Sequence, residues 1–220
     1  MVIVILLIVI LCFLGYASYS IKSQIYVKAV CAIPNSENAV FLTFDDSPHP
    51  IQTPKILDIL KENNIKATFF CVGANIKNNE SIVKRIVDEG HQIGNHSFSH
   101  SGRFPLLCKH NMITDILQCQ MAIEKATGQK CVLFRPPFGV TNPTVAKAVK
   151  CLNLKVIGWS IRTYDTNKPT TKKLQRRIVR GLKPGAIVLL HDVLDNSDIT
   201  LPMVIETIKS KGFTFAKIDN

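Results

Sequence analysis

Short apolar runs alternate with amphipathic stretches along almost the whole of this chain, and that rhythm admits few architectures. Strands are expected at residues 39–44, 66–72, 92–95, 131–134, 155–160, 186–190 and 213–218. The helices expected between them have marked ends. Thr53-Pro54 supplies a cap and a first-turn proline for 54–63. The helix at 76–89 stops at Gly90 and that at 110–127 at Gly128. Asn142-Pro143 opens a helix through Cys151, and helices at 172–182 and 202–211 follow, the last stopping at Gly212. Strand–helix alternation of this kind implies parallel strands joined by crossover helices, hence an α/β sheet or barrel. No internal repeat or low-complexity segment interrupts it.

The first 38 residues do not share the rhythm. From Val2 to Tyr19 the chain carries no charge and is mostly branched aliphatic, just long enough to cross a bilayer as a helix. Residues 1–19 are therefore expected to be a transmembrane anchor. The alternative, a cleaved leader, has only ASYS as a loose cleavage context and no basic residue ahead of the apolar run. Residues 20–38 are expected to form a polar juxtamembrane linker, and 39–220 a single domain, large enough to bury a proper core.

The formal charge of +11 raises the question of nucleic acid. No zinc-finger spacing, RNP-like stretch or glycine-rich phosphate loop supports that partner, and none is expected. The densest basic run, Lys172, Lys173, Arg176, Arg177, Arg180 and Lys183, lies opposite Leu174, Ile178 and Leu182 on a helix and reads as a solvated face. Attraction to anionic cell-surface polymer or lipid head groups is the other reading. Seven cysteines, an odd count with no CxxC, indicate neither a disulfide framework nor a thiolate zinc site. A monomer is expected.

Five polar clusters, far apart in sequence, each fall just past the end of a strand: Asp45-Asp46, His96 with His100, Arg135, Trp159 to Asp165, and His191. In a β/α barrel those ends share one rim, where such barrels carry their active sites. Asp46, His96 and His100 make a three-ligand set for one divalent metal ion, zinc or a related cation such as cobalt, and leave Asp45 free as a base. The histidines, four apart, would share a face if their segment is helical. RPPFG (Arg135 to Gly139) is a rigid turn able to aim a main-chain N–H at a developing oxyanion, with Arg135 orienting the base; an ordinary loop with a surface arginine is the plainer reading. Trp159, the single tryptophan, is either a core ring or the wall of a small pocket. His191 could protonate a leaving amine, and Asp192 follows it with no role evident in the sequence.

These blocks, in this order, resemble the polysaccharide deacetylases of the NodB-homology group, the family-four carbohydrate esterases. The resemblance runs from about Ala39 to Asp219 and includes IKATFFCVG and EGHQIGNHSFSH. It implies a distorted (β/α)7-type barrel and metal-dependent removal of acetyl groups from an acetylated glycan such as peptidoglycan or chitooligosaccharide. By position, Asp45 matches the base, Asp46, His96 and His100 the metal ligands, Arg135 the residue holding the base and Asp165 the partner carboxylate of that arginine. The N–H of Phe138 matches the oxyanion donor, Trp159 and Leu189 the acetyl-pocket walls, and His191 the general acid. A glycan substrate favours an extracytoplasmic domain, although Lys22 and Lys28 after the apolar segment weigh mildly the other way.

There are two departures. The family's TFDDGP reads TFDDSP here, so that a positive φ at Ser47 would cost about 1 kcal/mol. Asp165-Thr166 stands for the usual Asp-Trp, which removes an aromatic near the substrate. A catalytically weakened glycan-binding protein is accordingly the alternative, as is action on O-acetyl xylan or a small amide.

Overall fold

A computed structural model describes residues 1–34 and 36–219. Helix α1 (Val2–Tyr19) precedes a central strand, β1 (Ala39–Ser47). The chain continues through α2 (Gln52–Glu62), β2 (Thr68–Cys71), α3 (Gly73–Ile76), α4 (Glu80–Asp88), β3 (Gln92–Asn95), α5 (Lys109–Thr127), β4 (Leu133–Phe134), α6 (Pro143–Cys151) and β5 (Lys155–Val156). It ends with β6 (Ile161–Arg162), α7 (Thr171–Gly181), β7 (Ile187–His191), α8 (Ser197–Lys209) and β8 (Thr214–Ala216). The named strands pair in parallel in the order β5-β4-β3-β2-β1-β7-β6. β8 pairs with the first half of β1, on the edge whose second half takes β2. This is the distorted barrel that the family resemblance implied, with an open seam between β5 and β6.

Strand parity sorts the side chains into two layers. Val40, Leu42 and Phe44 pack outward under the helices with Ile56, Leu60 and Ile205, whereas Phe41 packs inside the curl with Phe70, Phe134 and Ile187. Successive strand residues face opposite ways, so Thr43 and Asp45 share the inner face with Phe41. The same alternation on β7 sends Val188 and Leu190 outward and Ile187 and Leu189 inward. The inner layer is thus apolar at its base and polar where β1 and β7 end.

Three local expectations are revised. The strand expected at 155–160 is two short strands flanking an irregular stretch. Into that seam comes the segment expected as a linker: Val30 bridges Ile157 and Ala32 bridges Ala186. Ile21, Val27 and Ala29 are buried there, because a sheet that does not close leaves apolar inner residues needing cover. Of the helix expected at 76–89 only Glu80–Asp88 forms, as α4; Ile76 ends the separate turn α3, and Asn78 is left-handed between the two. α1 is long and apolar enough to cross a membrane, and of its residues only Ala17 is buried. Its end is tied to the domain: Thr141 donates to the carbonyls of Ala17 and Ser18, and Lys22 to that of Ser160. All seven cysteines are free thiols.

Candidate active site

Asp45 and Asp46 are adjacent in a strand, where alternation would send them apart. The chain resolves this with a bulge in the β1–β2 pairing after Phe44 and a left-handed Asp46 at φ 70°. Both carboxylates then serve one pocket, which is also lined by His96, His100, Phe138, Trp159, Leu189 and His191. Left-handed backbone recurs around it at Ser97, His100, Phe138 and Tyr164, none a glycine. Such strain persists only where surrounding contacts hold it, and it gathers at functional sites.

His96 and His100 do not meet on a helix as expected. Residues 96–100 form a bend after β3, with Ser97 at φ 68° and His100 at φ 43°. Asn95 accepts from Ser97 N–H, and the buried carboxylate of Asp115 on α5 accepts from the N–H groups of Phe98 and Ser99. Asp115 was missed in the sequence. Its signal was an acid on the buried face of α5, beside Met112, Ile116 and Cys119.

The ligand atoms of Asp46, His96 and His100 lie within 4.8 Å of one another. Oδ1 of Asp46 stands 3.4 Å from Nε2 of His100 and 3.7 Å from Nε2 of His96. His96 Nδ1 lies 2.7 Å from the carbonyl oxygen of Arg135. A carbonyl can only accept, so Nδ1 carries the proton and the Nε2 lone pair faces the site, the arrangement that orients metal-ligating histidines. Burial, with His96 beside it, holds His100 below the usual histidine range, so its imidazole is neutral. Oδ1 of Asp46 is buried and, among the described residues, has no hydrogen-bond partner. A buried carboxylate oxygen without a donor, beside the inward lone pair of His96 and the Nε2 of His100, fits a divalent cation bound by Asp46, His96 and His100.

Asp45 sits 3.6 Å from His96 Nε2 and is almost fully buried. Its Oδ1 accepts from Nη1 of Arg135 at 2.6 Å. Burial works to raise its pKa, yet Arg135, with His96 and His191, outweighs burial and holds the carboxyl below its ordinary range. Arg135 itself is wholly buried, and every hydrogen-bonding nitrogen has a partner: Nε donates to Ile157 O, Nη1 also to Thr43 Oγ1, and Nη2 to Gly158 O. Its guanidinium lies 4.1 Å from the Phe70 ring centroid. Thr43 had escaped sequence reading, although strand parity two residues before Asp45 was the clue.

On the far side of the pocket, His191 Nδ1 lies 2.9 Å from Asp165 Oδ1, and the His191 N–H donates to Asp165 Oδ2 at 2.8 Å. Burial alone would lower the pKa of His191, but the Asp165 carboxylate overrides it and raises the value to about 9. Asp165 had been expected as the partner of Arg135. It belongs instead to His191, because β6 runs beside β7 and turns Asp165 onto the end of that strand.

Phe138 is left-handed at φ 60° within the RPPFG turn, and among the described residues its N–H has no acceptor. Gly139 follows at φ 69°, and a Cβ there would meet the Trp159 ring at 2.3 Å. Glycine therefore lets the turn close on Trp159, whose buried ring lines the pocket with Leu189. Ser47 does not carry the positive φ feared from its replacement of glycine; Asp46 does. The Ser47 hydroxyl is buried and donates to Asp192 Oδ1 at 2.8 Å, and Thr53 donates to the other oxygen at 2.5 Å. Burial raises the Asp192 pKa to about 7, against the pull of those two donors. Asp192 thus buttresses the loop after β1 rather than facing the pocket.

Residues 32–157 match the family model described as polysaccharide deacetylase. A peptidoglycan-N-acetylglucosamine deacetylase of Listeria monocytogenes is 37% identical over 183 residues, covering 82% of this chain; the match spans only 38% of that longer protein. A peptidoglycan-N-acetylglucosamine deacetylase of Bacillus cereus is 33% identical over 84% of this chain and 89% of its own length. Among solved structures, a CE4 family pseudoenzyme from Bacillus anthracis superposes with a TM-score of 0.76 at 33% identity, over 84% of this chain and 65% of that one. On the match to the family model and on these relatives, the chain belongs to the polysaccharide deacetylase family.

Proposed function

We propose that this chain is a metal-dependent hydrolase that removes acetyl groups from a glycan containing N-acetylglucosamine, held at the membrane by α1 with its pocket on the extracytoplasmic side. The observation that carries the reading is a pair of oppositely prepared proton-transfer groups facing each other across one donor set. Asp45 is ionised and His191 protonated at neutral pH. Environments that push two titratable groups in opposite directions assign the base and the acid.

Asp46, His96 and His100 would hold one divalent cation, zinc or cobalt by the chemistry of the set, which when bound polarises a carbonyl and acidifies water. Asp45, fixed by Arg135, takes a proton from the attacking water. The unpaired N–H of Phe138 donates to the oxygen that becomes negative as the carbonyl carbon turns tetrahedral. Trp159 and Leu189 flank the acetyl methyl. His191, its Nδ1 proton held by Asp165, gives its Nε2 proton to the departing sugar amine. Acetate and a free amine result.

Acetate release by the metal-reconstituted protein from peptidoglycan, chitooligomers and acetylxylan tests the reading. Release from the N-acetylated glycans is expected, with loss of about 10²-fold or more in Asp45→Asn at undiminished metal content. Metal-loaded protein that frees no acetate from any of them would overturn the proposal.

A further inference from the structure

At the mouth of the same pocket, Arg162 stands apart from the other surface cations. The side chains of Arg162, Tyr164 and Thr166 project from β6 and the turn after it, and all three line the pocket. The Arg162 guanidinium lies 4.7 Å from the Tyr164 ring centroid and 5.6 Å from that of Trp159. Among the described residues it has no hydrogen bond and no carboxylate partner. Tyr164 is itself left-handed at φ 55°, and a second cation, Arg177, stacks on its ring at 5.0 Å while donating to Thr163 O at 2.7 Å. The neighbouring acids are engaged elsewhere: Asp165 with His191, Asp45 with Arg135.

A planar cation held against two rings has its fork of donors fixed in advance, and that fork matches a carboxylate bidentately. We infer that Arg162 forms a subsite for a carboxylate carried by the glycan, on the acetylated sugar or its direct neighbour, so that acid-bearing amino-sugar glycans are the preferred substrates. This inference rests on the deacetylase reading above and narrows its substrate class. Trp159 connects the two functions: its ring lines the pocket, and Arg162 lies over the same ring, which puts the positive charge beside the acetyl-pocket wall. Lysines on α7 have no such platform. They contribute a diffuse positive field that favours the same substrates and fades with salt.

The test uses the full chain in detergent, metal-loaded, and three oligosaccharides. One is a peptidoglycan-type oligomer with its lactyl carboxylate free, the second is that oligomer with the carboxylate converted to the primary amide, and the third is neutral chitotetraose. An N-acetylated oligomer bearing a uronate in place of the lactyl acid separates the two sources of carboxylate. The wild type is expected to show a kcat/KM about ten-fold higher on an acid than on its amide, expressed mainly in KM. Arg162→Met brings that ratio close to one, and Arg162→Lys keeps part of it, since the charge stays while the fork is lost. Equal rates on acid and amide in the wild type, or a preference that survives Arg162→Met, overturns the subsite. Acetate from chitotetraose without any acid preference defeats this inference and leaves the activity standing, whereas no acetate from any of the oligomers defeats both.

Discussion

Asp165→Asn removes one charge from the proposed reaction. The amide keeps the size of the carboxyl group, and its single oxygen can accept the Nδ1 proton of His191 at the cost of the bond from the His191 main-chain N–H, which reaches the other oxygen. What disappears is the negative charge that holds His191 at about 9 rather than 6.5. Removing it brings His191 down toward its ordinary value, because burial is then opposed only by Asp45 and Asp46; a full return is about 2.5 pK units, or roughly 3 kcal/mol. Near pH 8, a group titrating at about 9 is about 90% protonated, and one titrating at about 6.5 about 3%, so the variant should be slower by about 30-fold. Near pH 6 the protonated fractions differ by less than about two-fold, and the variant should approach the wild type. The assay is kcat/KM for acetate release across the pH range, read at the descending limb. A cation bound at Asp46 lowers both limbs together and leaves their separation. A linked stability effect has a definite sign. His191 has a raised folded pKa, so its contribution is fully present below about 6.5 and lost as pH rises through about 9; the variant should lose that slope. If Asp165→Asn instead loses rate equally at every pH, with the limb unmoved, then Asp165 only positions the ring and His191 is not the proton donor.

Two further outcomes test the metal site and the loop buttress. Zinc added to metal-free protein at about 100 times its Kd should stabilise the fold by about 2.7 kcal/mol, and Asp46→Ala should abolish the shift in Tm; an unchanged shift would place the ion elsewhere. Ser47→Ala removes one of two donors to buried Asp192. The cost in Tm and denaturant midpoint should be about 1 kcal/mol below pH 7, where Asp192 is protonated, and about 2 kcal/mol above it, where the same oxygen is charged. Equal loss on both sides of pH 7 would mean that Asp192 does not titrate there.

The order of elements was legible because it is written locally. Apolar runs, the Asn142 cap, Pro143 and the glycine stops need only their neighbours, and Asn142 Oδ1 indeed accepts from the N–H groups of Thr144 and Val145. The alignment of polar clusters with strand ends was legible too, since parallel strands bring their C-termini to one rim whatever the details of curl. That sufficed for Asp45, Asp46, His96, His100, Arg135 and His191 to be expected together; all but Arg135 line one pocket, and Arg135 is buried behind Asp45.

The pairings were not legible. Asp165 could have served Arg135 or His191, 30 and 26 residues away in sequence, and only the turn after β6 beside β7 chose between them. Ser47 and Asp192, 145 residues apart, meet because β1 and β7 are neighbours in register, so a substitution that looked like backbone strain proved to be a buried hydrogen bond. The segment at 20–38 reads as a polar linker because its apolar residues show no period; Ile21, Val27 and Ala29 are packed because the open seam between β5 and β6 exposed an apolar interior. Composition and spacing decide which groups a chain can offer to a site. Charge partners, tautomers and pKa directions depend on distances of a few ångströms between segments that only the curled sheet brings together.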